Sequence, residues 1–209
     1  MSRTSETPAS DSPDLRCKCG KCLAKDGQIK CSKCTGITDV RPRLLDEARR
    51  TAFYLSAMAT TAQLLGANEA PVKITIVPGR HHLGYVASQP LQDPLYTTED
   101  MRRQLLVLLT GHAAEIALGG LTTGSQNTME RAWQMAQRMV SLGMVDGWNR
   151  NPGEAARTLF ESVRKEAQDF VAANRAAIES VAAMLLFKGD LTGDDVARLA
   201  AAGSGATPQ

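Results

Sequence analysis

The amino-acid sequence predicts a mainly α-helical fold with a small β-hairpin or sheet, preceded by a compact cysteine-bearing module. Three observations lead there. Aromatic residues make up only 4% of the chain, while Ala and Leu dominate from about residue 44 onward, a balance suited to helices packed through small and aliphatic side chains. Apolar residues in that region recur at helical spacing. All five cysteines fall between residues 17 and 34 and none is left for the core. With 209 residues and 43% hydrophobic content the chain can bury a real core, and its length suits one main domain plus a small appendage.

Residues 1–15 are rich in Ser, Thr, Pro and acidic groups and cannot offset the entropy of ordering by apolar burial, so a disordered tail is expected there. Residues 16–40 hold the cysteine module, and the main domain is expected over 41–202. Pro42 in VRPR is placed to open a helix. Leu44, Leu45, Ala48, Ala52, Leu55, Ala59, Ala62 and Leu65 then mark one amphipathic helix that Gly66 ends. Val72, Ile74 and Ile76 alternate with polar neighbours, and LGYVASQ follows a GRHH turn, which together predict two short strands. TTED at 97–100 is a capping signature for a second helix reaching 118. Ser125 to Leu142 gives a third, and Pro152 to Lys188 one long or two stacked helices. Asp194 and Asp195 begin a short last helix, and 203–209 read as a disordered tail.

The cysteines carry a metal-site signature. Zinc takes four soft ligands in a tetrahedron, and each CxxC turn delivers two thiolates from one tight knuckle. CGKC supplies Cys19 and Cys22, CSKC supplies Cys31 and Cys34, and LAKDGQIK between them has a central Asp-Gly suited to a short hairpin. One structural zinc per chain is the expectation. Cys17 is the spare, either free or substituting for Cys19. CxxC also serves thiol exchange, but two such turns this close favour metal. A basic surface surrounds them: Arg16, Lys18, Lys21, Lys25, Lys30, Lys33, Arg41 and Arg43 stand against Asp26 and Asp39. Nucleic acid is one partner class for such a knuckle, although no aromatic lies between Arg16 and Arg43 to stack on a base.

The net charge of +2 excludes little. MSRTSETPASDSPD lacks the apolar core of a secretory signal, which together with the clustered cysteines leads to a cytoplasmic expectation. LLVLLTGHAAEIALGGL at 105–121 is interrupted by His112 and Glu115 and reads as a buried helix, not a membrane span.

Four strings in the main body, KITIVPGRHHLGY, LLTGHAAEIALGG, TTGSQNTMERAWQMAQRMV and LTGDDVARL, occur in an order that resembles the peptidase domain of the FtsH family of AAA+ zinc proteases. The corresponding family strings run like KVTIIPRGxALGY, LLGGRAAEE and STGASNDxxxATxxARxMV. The resemblance covers about Leu44 to Leu199. It implies a helical peptidase scaffold in which zinc is held by the two histidines of an HEAGH helix and the Asp of an SND segment, with the intervening Glu as general base. Aligning TAFYLSAMA with the family's TAYHEAGHA puts Tyr54 and Met58 at the histidine positions and Leu55 at the general base, and SQNT puts Thr128 at the Asp. The chain contains no HExxH anywhere.

Tyr, Leu, Met and Thr are no ligand set for lowering the pKa of a bound water, so these four positions are expected to repack as core or pocket lining. A composite metal site from His81, His82, His112 and Glu115 is conceivable, but adjacent histidines point apart and a lone helical His is more often hydrogen-bonded than ligating. No GxxxxGK phosphate loop occurs in these residues, so no ATP site is expected. The first expectation is therefore a non-catalytic, peptidase-like protein that binds a peptide or protein partner, itself, or an FtsH-type protease. A metallopeptidase with non-standard ligands and a nucleic-acid regulator led by the basic knuckle are the alternatives.

Overall fold

The computed structural model describes residues 45–66, 70–79, 82–88 and 95–203. The cysteine module and its zinc ligands Cys19, Cys22, Cys31 and Cys34, with the spare Cys17, lie outside these residues, as do the tail segments 1–15 and 204–209.

The organising element is α1 (Leu45–Leu64). Ala48, Ala52, Ala57, Ala59 and Ala62 are all buried, so apolar contact runs around most of its circumference and not along one stripe. Small side chains let neighbouring helices approach its backbone closely. It packs along α2 (Thr98–Ala117) and α5 (Arg175–Lys188), and touches α6 (Gly193–Gly203) and the sheet. It ends as expected at Gly66, whose φ of 58° is the left-handed conformation glycine adopts without strain.

A three-stranded antiparallel sheet lies against one end of this bundle. β1 (Pro71–Thr75) is central, flanked by β2 (Tyr85–Ser88) and β3 (Asp190–Thr192). Ile74 faces Val86 on one side and Leu191 on the other. Ile74, Ile76 and Leu191 point into the core, but Val72, expected on the same face as Ile74 and Ile76, is half exposed where the register shifts between Pro71 and Lys73 and interrupts the alternation. β3 goes beyond the two strands anticipated. Three residues are too few to show a period of two, and this strand exists because α5 stops at Gly189, with φ 81°, and the chain turns back onto β1. The Gly189 carbonyl there accepts from the Ile76 backbone N–H at 3.0 Å and from Thr75 Oγ1 at 3.2 Å.

The helix boundaries follow their capping chemistry. Thr97 Oγ1 accepts from the Asp100 N–H at 3.2 Å while the Asp100 carboxylate accepts from the Thr97 N–H at 2.9 Å, a reciprocal box that starts α2. A short 3-10 turn (Thr123–Ser125) leads into α3 (Gln126–Ser141). Asn151 caps α4 (Pro152–Ala173), with Pro152 in the first turn. Residues 152–188 form two helices, α4 and α5, bent by 75° at Asn174. The Asn174 amide donates to the Phe170 carbonyl at 3.0 Å, competing with the helical ladder where the chain turns. Thr192 and Asp195 cap α6 in the same reciprocal manner, at 3.2 and 3.4 Å. Gly203, read from sequence as the start of the tail, is instead the last residue of α6, and its Cα presses against Ala177. No single helix among the described residues is long and apolar enough to cross a membrane.

Gly193 joins the sheet to α6 at a contact with no room for a side chain: a Cβ there would collide with the Pro71 carbonyl oxygen and stand 3.5 Å from Val72 Cα. Gly193→Ala should therefore lower the unfolding free energy by about 1–3 kcal/mol through displacement of backbone against backbone. The shift in the urea midpoint measures it.

Candidate functional site

Three elements converge where the sequence places the family's reactive centre. Tyr54 and Met58, one helical turn apart, lie on the face of α1 that meets α2. Thr128 sits in the first turn of α3. The Tyr54 hydroxyl donates to Thr128 Oγ1 at 2.7 Å, a link across 74 residues of sequence. Burial raises the Tyr54 pKa, opposed by the hydrogen bond to Thr128, with Glu115 raising it and Arg131 lowering it further. The phenol is thus a neutral donor. Its ring fits because α2 has Gly111 opposite: a Cβ there would come within 2.7 Å of the ring carbons and 3.1 Å of Met58 Sδ.

Leu55 turns the other way. It is buried, and its Cδ1 lies 2.7 Å from where a Cβ of Gly84 would stand, beside the entry to β2. The position that the resemblance assigns to a general base is thus an apolar wedge between α1 and the sheet.

These side chains do not fit the zinc that the resemblance implies. A phenol already donating to a hydroxyl, a thioether and an alkyl group offer neither the imidazoles nor the carboxylate that such a catalytic ion requires. Among the described residues no group of three or more His, Cys, Asp and Glu side chains stands together as a metal site. Among the described residues the composite alternative is not assembled either. Glu115, buried, has both carboxylate oxygens engaged by Thr122, one by its hydroxyl and one by its backbone N–H at 3.4 Å. That pair anchors the turn that delivers Thr128, a role legible only once LLTGHAAE and LTTG are seen as neighbours. His82 is exposed, meets Tyr85 edge-on at 5.2 Å and covers Gly79, while His81 lies outside the described residues.

His112 departs from expectation. Sequence reasoning makes it a hydrogen-bonded helical histidine, yet it is buried with no partner for Nδ1 among the described residues. Burial lowers its pKa, Glu115 pulls the other way, and Arg164 on α4 adds to the lowering. Ser56 Oγ and Thr60 Oγ1, also buried, have no hydrogen-bond partner there either. Nothing in the periodicity of TAFYLSAMATT marks those two hydroxyls as different from the flanking alanines.

Tyr54→Phe removes the tie between α1 and α3 while keeping the ring, and should cost about 1 kcal/mol in urea unfolding. Combining it with Thr128→Val should cost much less than the sum of the two single changes, because both remove one bond. For His112, an imidazole kept neutral in the fold but free to protonate in the unfolded chain gives stability that is complete above the ordinary value of about 6.5. It is lost as pH falls through that value toward the lower folded one. Melting temperature should therefore decline between about pH 7.5 and pH 5.5, and His112→Gln should flatten the decline.

Comparison with known proteins identifies the family. The profile of Peptidase family M41 matches residues 44–155. "ATP-dependent zinc metalloprotease FtsH 2" of Symbiobacterium thermophilum is 30% identical over 186 residues, covering 78% of this chain and 31% of that protein. "ATP-dependent zinc metalloprotease FtsH" of Methylococcus capsulatus is 29% identical over 190 residues, 75% of this chain and 30% of the relative. The protein of that name from Aquifex aeolicus is 42% identical over 105 residues, 48% of this chain and 17% of its own. The chain thus spans less than a third of the length of these relatives. By the matched profile and the identity shared with these relatives, it belongs to peptidase family M41, the FtsH peptidase family.

Proposed function

We propose that this chain is a non-catalytic member of its family, a peptidase-like domain that binds a peptide or protein partner and carries one structural zinc in its four-cysteine module. The carrying observation is the hydrogen bond from Tyr54 to Thr128. It joins directly two positions that the family resemblance assigns to metal ligands, and it leaves the phenol proton committed to a neighbour. With Leu55 wedged against the sheet, the residues supply neither a cation grip nor a base to take a proton from water.

Partner binding rests on what the scaffold retains. β2 is a terminal strand of the sheet, and its outer edge has no strand partner among the described residues. An extended segment can hydrogen-bond along such an edge without being cut. Self-association and assembly with an FtsH-type protease belong to the same reading, as does the zinc at Cys19, Cys22, Cys31 and Cys34, with Cys17 free.

Metal content and proteolysis test it together. The purified chain should contain one zinc, lost in Cys19→Ser/Cys31→Ser, and should leave an unfolded casein intact. Chelator-sensitive cleavage, or a second zinc that survives replacement of all five cysteines, would overturn it. The fourfold variant Tyr54→His, Leu55→Glu, Met58→His and Thr128→Asp should gain one zinc beyond the cysteine-bound ion. A folded variant with no gain would mean that these positions do not form the family's ligand geometry.

A further inference from the structure

The N-terminal half of α2, the following helix α3 and the segments before α2 and after α3 enclose an open groove of about 430 Å³. Its lining is mixed in a specific way. Leu95 and Leu142 are strongly exposed, at 97% and 55%, and both belong to this groove. Met135 and Met144 extend the apolar wall with side chains that adapt to irregular partners. Large apolar groups left in water around one concavity mark a binding surface more than chance exposure does. Among these groups stand Arg131 and Arg138 on α3. Neither has a carboxylate partner among the described residues, whereas Arg102, Arg103, Arg164, Arg175 and Arg198 are all ion-paired.

We infer that this groove docks an extended acidic peptide segment of a partner protein, in which two carboxylates three residues apart flank large apolar side chains. The spacing follows from geometry. Seven residues of α-helix separate the two guanidinium stems by roughly 10 Å along the axis, and a segment in the polyproline II conformation, with three residues per turn, places side chains three residues apart on the same side at about 9 Å. Guanidinium groups grip carboxylates through paired N–H donors, and the leucine and methionine wall receives the side chains between them. These side chains come together only through the packing of α2 against α3, which no local pattern in the sequence marks.

The inference deepens the partner-binding reading by naming the chemistry of the partner, and it rests on that reading only for its biological sense. Fluorescence anisotropy on the full chain, with labelled Ser-Asp-Leu-Leu-Asp-Ser as the probe, tests it. Saturable binding is expected, with the Asn counterpart weaker by roughly tenfold and the Lys counterpart weaker still. Arg131→Glu/Arg138→Glu should abolish binding of the acidic peptide and transfer preference to the Lys peptide. Arg157→Glu, which alters an exposed arginine outside the groove, should change nothing. Equal binding of the three peptides, no binding of the acidic one, or equal losses in the groove variant and the Arg157 control would each overturn the assignment. Casein cleavage would sink the non-catalytic reading while leaving the groove intact, so the two failures are distinguishable.

Discussion

The close packing around α1 is the constraint on which the remaining structure depends. A helix whose middle is buried around most of its circumference exposes side chains to water only toward its ends, so its neighbours must surround it: α2 and α5 along its length, with α6 and the sheet also in contact. Alanine at five of its buried positions keeps those neighbours close. Such a helix accepts large side chains only where its neighbours leave space for them. Tyr54 is accommodated because α2 has Gly111 beneath its ring, and Leu55 because the sheet has Gly84 beside it. The fold and the contacts of Tyr54 and Leu55 are thus one packing solution.

Electrostatically, that centre is unlike the metal site implied by the family. A divalent ion draws its ligands together by charge and demands anionic or strongly basic donors. Here two helices are drawn together by a neutral hydroxyl pair, and the nearby carboxylate of Glu115 is turned to Thr122. One pair ties α1 to α3, another fixes the approach to α3, and a hydrophobic side chain closes the side toward β2.

Most of the helical architecture was legible in the sequence because its signals are local. The Thr97 and Asp100 box, the Gly66 stop and the Asn151–Pro152 start each depend on residues within one turn, and all three mark boundaries in the structure. The grouping of Tyr54, Met58 and Thr128 was legible only through the family resemblance, since nothing in their spacing brings residues 74 apart together. What escaped depends on tertiary contact. β3 is too short to have a period, the break at Asn174 requires knowledge of the Phe170 carbonyl, and the unsatisfied Nδ1 of His112 is visible only once its neighbours are placed.

The pairing of β3 with β1 has a consequence for how the chain matures. Thr75 meets Gly189 across 114 residues, so the central strand acquires its second partner only after α2 through α5 have been synthesised. Until then one edge of a strand bearing Ile74 lies open, a template for the wrong neighbour. Emergence of Gly189 and β3 therefore acts as a latch on the nascent domain, and the interval before it closes is when the open strand edge is most exposed to misassembly.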